Sequence, residues 1–237
     1  MGRIAQSIFL IILFITYSGG AYSQILTTQD ITSVTGKEKE RWTDRAKSIA
    51  EDIAEFDKYG ELHFTNVGKF SGQTKQQLYE KLVAFLKNSH AMSDCVTDIN
   101  NKDYSIVFRP QITNIAEHSS LESMYIVSIN PIIKIEFKDE KARFSFILNS
   151  YDISKYKEYA DGVYGLGTAL GAFYIVGKTI HSDEVWAIRD CYPFVKGKYP
   201  RITCSKALVN TEACYELLCK KLSNILLGKT EMSDNEW

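Results

Sequence analysis

Apolar and polar positions alternate most cleanly between residues 132 and 149. Ile133, Ile135 and Phe137 alternate with Lys134, Glu136 and Lys138. Past Asp139 and Glu140, Ala142, Phe144, Phe146 and Leu148 alternate with Arg143, Ser145 and Asn149, Ile147 being the apolar exception. A period of two with one apolar face predicts a half-buried antiparallel hairpin, its arms running over Met124–Lys138 and Ala142–Tyr151. Glu136 then faces Arg143 across the strands, a pair worth a few tenths to about 1 kcal/mol. Two more strands, Cys95–Ile99 and Tyr104–Ile115, flank a turn at Asn100–Asp103, where Asn and Asp supply turn geometry. Leu62–Phe70 alternates as another strand, ended by Ser71 and Gly72.

Three stretches carry the helical period instead. Trp42, Ala46, Ile49, Ala50 and Ile53 form one stripe between Lys37 and Phe56, opposite a face of mixed charge. This amphipathic helix either docks on its own domain or lies against a membrane surface or partner. Thr74 with Gln77 makes a capping box before a helix to about Asn88, with Leu78, Leu82, Phe85 and Leu86 on one side. Cys214, Leu217, Leu218, Leu222, Ile225 and Leu226 mark a last helix over Thr211–Leu227, stopped by Gly228. Residues 24–36 are Thr-rich without a period and predict an extended lead-in. Residues 152–209 sustain no period and predict an irregular region.

The amino end has a different character. Arg3 is its only charge, Ile8–Tyr17 is an apolar run, and Ala21-Tyr22-Ser23 places small residues three and one positions before Gln24. This is the pattern of a signal peptide over residues 1–23, cleaved between Ser23 and Gln24. The run is about half of the roughly 20 residues needed to span a bilayer, and no later segment is long and apolar enough. The expected product is therefore exported, to the periplasm or the medium, with no transmembrane segment. It divides into a polar lead-in and helix over 24–60 and a domain over 61–237.

Charge narrows the partners. Of 28 basic residues Arg3 leaves with the signal, so the mature chain has 27 against 29 acidic, a formal charge of −2. Nucleic-acid binding depends on an excess or cluster of basic charge, and none is present. Hydrophobic content of 45% and charged content of 24% are those of a globular domain.

Candidate chemistry is sparse. Gly165, Gly167 and Gly171 miss the dinucleotide fingerprint by one position, and Ala172 and Phe173 follow where a phosphate-binding loop needs Lys and then Ser or Thr. His63, His90, His118 and His181 stand apart, with no H-x-H or H-E-x-x-H, so no metal or other cofactor is indicated. Asp94, Asp98 and Asp103 flank a turn and are explained by it. No nucleophile motif occurs, which leans against an enzyme. All five cysteines lie in the mature part, and export permits disulfides. The gaps from Cys191 to Cys204, Cys214 and Cys219 lack paired C-x-x-C spacings for zinc. Cys214 and Cys219 are five apart on a helix, about 140° around its axis, and do not bond to each other. Gly197 and Pro200 let the chain between Cys191 and Cys204 double back, making these two the preferred pair. An odd number leaves at least one thiol free or paired between molecules.

The run from Ser71 to Tyr79, the hairpin from Tyr125 to Phe144 and the tail Ser233–Trp237 together resemble the exported bacterial proteins grouped as domain of unknown function 4468, with a TBP-like fold. The resemblance covers about residues 61–237. It implies an α+β fold with an antiparallel sheet in strand, helix, four strands, helix order; the amphipathic stretch adds an N-terminal helix, and 152–209 is an elaboration. It brings no activity and no site residues. A TBP-like sheet grips DNA with a basic concave face, which this acidic chain lacks. Three readings stay open: a non-enzymatic binding module of the cell envelope acting on an unknown protein or ligand, an envelope-acting hydrolase, and a structural subunit that forms homodimers.

Overall fold

The computed structural model describes residues 25–35, 41–119, 123–165 and 173–229, with backbone alone at 90, 91, 158–165 and 173–178. The order begins with helix α1 (Thr28–Thr35), then α2 (Trp42–Ser48), which runs into a π-helical turn at Ile49–Ile53. Strands β1 (Glu55–Phe56) and β2 (Leu62–Lys69) precede α3 (Lys75–Asn88) and the short α4 (His90–Ser93). Strands β3 (Val96–Asn100), β4 (Ser105–Phe108), β5 (Ile112–Ser119), β6 (Ser123–Ile129), β7 (Ile132–Lys138), β8 (Lys141–Leu148), β9 (Ser150–Gly165) and β10 (Phe173–Ala187) follow. The short α5 (Ile188–Cys191) and the long α6 (Arg201–Leu226) complete the α+β fold.

The strands form two antiparallel sheets, in the orders β1-β2-β8-β7-β4-β3 and β10-β9-β6-β5. Two prolines explain why there are two. The run Tyr104–Ile115, expected as one strand, breaks at Pro110 into β4 and β5, and Met124–Lys138 breaks at Pro131 into β6 and β7. Proline has no N–H to give a ladder, so each run leaves one sheet there and continues in the other. The run ending at Tyr151 makes the same passage from β8 to β9 at Asn149. Of the five expected strands, three are thus each shared between the two sheets.

The β7–β8 hairpin has the expected register. Ile133 faces Phe146, Ile135 faces Phe144, and Glu136 faces Arg143. The Arg143 Nε donates to Glu136 Oε2 at 2.8 Å. Ala142, Phe144, Phe146 and Leu148 are all buried, whereas Arg143 is exposed. The hairpin tip also caps α3: Asp139 Oδ1 accepts from the Lys75 N–H at 2.9 Å. Within α3 the capping box is present, with Gln77 N–H donating to Thr74 Oγ1 and Thr74 N–H to Gln77 Oε1.

Helix α6 lies at the centre. Apart from Lys206, every residue from Thr203 to Cys214 is buried. Its Tyr215 ring stacks on Phe64 of β2 at 5.1 Å, and its Asn210 Nδ2 donates to the Ile115 carbonyl of β5 at 2.6 Å. Arg45 of α2 meets Glu212 at 2.7 Å. Ile31, Ala46 and Ile49 join the same core as the sheets, so the amphipathic helix docks on its own domain.

Three expectations change. Residues 24–36 hold a helix, α1, started by Thr27 and Asp30: the Asp30 N–H donates to Thr27 Oγ1, and the Thr27 N–H to Asp30 Oδ2. The region 152–209 is largely regular over its described residues, with the β9–β10 ribbon, α5 and the first turns of α6, and it is irregular between Cys191 and Arg201. The last helix begins at Arg201, not Thr211. From Thr203 to Ala213 every residue but Lys206 is buried, so this half carries no one-sided stripe. Beyond Lys157 the ribbon pairs only with itself, so no sheet face imposes alternation on it.

Candidate functional site

A cleft of about 610 Å³ opens where α1, α2, β5 and α6 meet. Thr28, Thr32 and Thr35 line it from α1, Trp42 from α2, Asn114 to Glu117 from β5, and Lys206 and Asn210 from α6. Asn114 has a positive φ of 54°, a conformation that Asn tolerates better than most residues. The ladder with β6 shifts register between Ile112 and Ala116, and this irregularity brings the Asn114 backbone towards α1, where its carbonyl accepts from Thr28 Oγ1 at 3.5 Å.

The polar groups of the cleft are fixed from behind. Lys206 Nζ donates to the Glu117 carbonyl at 2.9 Å and lies 5.7 Å from the centre of the Trp42 ring. Asn210 is 6% exposed, and its Nδ2 is used by Ile115. Its Oδ1 is buried without a donor, and an unsatisfied buried acceptor costs about 1–3 kcal/mol. Beside the cleft, His118 Nδ1 sits 3.1 Å from Thr203 Oγ1. Burial, and then the Lys206 charge, pull its pKa below the usual histidine range. The arrangement offers a ring face, an ammonium, hydroxyls and one buried acceptor; it can hold a polar molecule.

The cysteines are placed otherwise. Cys191 and Cys204 are both buried thiols, in hydrogen-bond contact with each other. Cys214 and Cys219 are free thiols on α6. The Cys204 contact and burial push Cys191 up, burial pushes Cys214 up, and it raises Cys219 to about 11. A thiolate is the nucleophile, and these three sites disfavour it. Tyr151, fully enclosed near Cys191, Cys204 and Cys214, is held neutral by burial, and its hydroxyl accepts from Thr211 Oγ1 at 3.4 Å.

Of the histidines, His181 lies 3.1 Å from Asp183 Oδ1, and the His90 side chain is outside the described residues. His63 is brought to two other ligating groups: Asp57 Oδ2 and Glu61 Oε2 are each 3.9 Å from its Nε2. Scanning for paired histidines missed this, because the set is one histidine with two carboxylates folded together by a turn. Asp103 acts in its turn, accepting from Asn100 Nδ2 at 2.9 Å. Ser23, Gln24, Gly167 and Gly171 lie outside the described residues, as does the tail at Ser233–Trp237.

No family model matches the chain, and no curated protein matches it. Among solved structures, it is similar to a TBP-like protein from Parabacteroides distasonis at 10% identity and a TM-score of 0.42, over 72% of this chain and 97% of that one. It is also similar to a DUF4468 family protein from Bacteroides ovatus at 10% identity and a TM-score of 0.45, over 80% and 97%. The structural neighbours thus include a DUF4468 family protein and a TBP-like protein, the group that the sequence resembles.

Proposed function

We propose that the protein is an exported, non-enzymatic binding domain of the cell envelope, and that the cleft under Trp42 is its ligand site. The observation that carries this reading is the cleft itself, in which the Trp42 ring, the Lys206 ammonium and the Thr28 and Thr32 hydroxyls converge. The hydroxyls offer hydrogen bonds to a ligand, the Trp42 ring offers a face for an apolar sugar face, and Lys206 favours a neutral or anionic molecule. The class that meets all three is a saccharide. Export is supported by the amino end. Ile25 and Leu26 are core residues, and the Ile25 carbonyl accepts from Lys221 at 3.1 Å, so losing residues 1–23 leaves the described core intact. No described helix is long and apolar enough to cross a membrane.

The test is tryptophan fluorescence of the mature protein titrated with soluble envelope oligosaccharides. A saturable change is expected, lost in Trp42→Phe and weakened about tenfold, or roughly 1.4 kcal/mol, in Lys206→Met. A signal that persists in Trp42→Phe, or none with any oligosaccharide, refutes the assignment.

A further inference from the structure

We infer that Asp57, Glu61 and His63 form a site for a divalent transition-metal ion of the zinc class, at the edge of the six-stranded sheet. The three ligand atoms lie within 4.8 Å of one another. They are assembled by the turn between β1 and β2. The Gly60 N–H donates to the Asp57 carbonyl at 3.0 Å, and Gly60 itself has φ +78°. A Cβ there would sit 2.6 Å from the Arg189 Cβ, so glycine is required on both counts. Asp57 Oδ1 accepts from the Tyr59 and Glu61 N–H groups, each at 2.9 Å. That leaves Oδ2 to face His63.

The independent observation is the imidazole. His63 Nε2 is shut off from solvent and has no hydrogen-bond partner. Both carboxylates stand 3.9 Å away, beyond the roughly 3.2 Å limit of a good hydrogen bond. Neither a proton on Nε2 nor its lone pair is therefore satisfied. A bound cation resolves this. Ligand atoms about 2.0–2.2 Å from one ion at tetrahedral angles lie about 3.4 Å apart, so each of the two His63–carboxylate distances closes by about half an ångström. A nitrogen donor disfavours calcium and magnesium, which take oxygen. Imidazole with carboxylates suits zinc and its neighbours, with water filling the remaining position. The carboxylates that cover Nε2 belong to partly exposed side chains, and their movement opens the ion's path in.

The experiment titrates Zn²⁺ into the mature protein against a chromophoric chelator. Cys95→Ser serves as the background, because Cys95 alone among the five thiols is not buried. One equivalent is expected. His63→Ala and Asp57→Asn should each weaken it at least about tenfold, while His181→Asn, altering another surface His–Asp pair, should not. Asp57→Asn keeps an oxygen for the turn's N–H groups, and circular dichroism confirms that each variant is folded. Absence of stoichiometric binding in the background protein overturns the inference. So does binding that is equal in folded His63→Ala and Asp57→Asn.

Discussion

Replacing Phe146 with Ala tests the hairpin register and the packing of α6 in one step. Phe146 is 1% exposed, 6.1 Å from Phe64 and edge-on to Tyr215 of α6 at 5.9 Å. Removing the ring forfeits about 2–3 kcal/mol of transfer free energy. The void between β2, β8 and α6 adds about 1–2 kcal/mol, because well-packed surroundings collapse only in part. The sum, about 3–5 kcal/mol, is a large share of the roughly 5–15 kcal/mol that a domain has. Ser145 is the comparison. It lies on the other face, opposite Thr65 and Lys134, and its change to Ala should cost less than about 0.5 kcal/mol. Urea titration followed by circular dichroism reads both. At a slope of about 2 kcal/mol per molar, the Phe146→Ala midpoint falls by roughly 1.5–2.5 M, and that of Ser145→Ala hardly moves. Equal shifts, or the reverse order, would refute the register and the burial argument with it.

Two further outcomes are expected. Burial raises the Glu136 pKa, but hydrogen bonds and charge from Lys134 and Arg143 outweigh it and hold the carboxyl below its usual range. The pair therefore stabilises the fold above the unfolded value of about 4.3, and this contribution fades as pH falls through the lower folded value. Glu136→Gln should cost under about 1 kcal/mol at neutral pH, and its gap to the wild type should close as pH falls from the unfolded value through the lower folded one; a constant gap down to about pH 2 contradicts this. The second outcome concerns the exported protein. Exchange with an extracytoplasmic disulfide oxidant should link Cys191 to Cys204, the oxidant leaving as its dithiol, with three thiols remaining and Cys214 never joined to Cys219. Non-reducing mass mapping reads this along with an amino terminus at Gln24. Reduction should then lower stability by about 3 kcal/mol for a loop of this length, and a Cys214–Cys219 link would mean that α6 is not helical there.

What could be read from the sequence depended on one-sided burial. The β7–β8 hairpin and α3 each have one face in the core and one in water, so their periods appear directly in the residue types. Helix α6 is legible only from Thr211 onward. Its first half, with Cys204, Ser205, Ala207, Leu208 and Val209 all buried, has no wet face to mark a period. The division into two sheets was also written in the chain, in Pro110 and Pro131, though alternation on both sides of each proline hid it. The Thr27–Asp30 start of α1 was readable as a capping pair, but Thr-rich sequence has low helix propensity. The cleft and the Asp57–Glu61–His63 set were not legible. The first joins residues as distant as Thr28 and Asn210, and the second depends on how a turn aims three side chains.

The central position of α6 bears on when the core can close. Synthesis from the amino end supplies residues 201–226 after every strand, yet α1, α2, α3, β2 and β5 all pack against them. Until that helix emerges, Ile49, Phe64 and Ile115 have no surface on which to settle, and β2 waits for β8, about eighty residues later, to supply its ladder. Long-range pairing of this kind closes slowly because loop entropy is lost before contacts repay it. The described core therefore closes only once α6 is available, however early its strands were made.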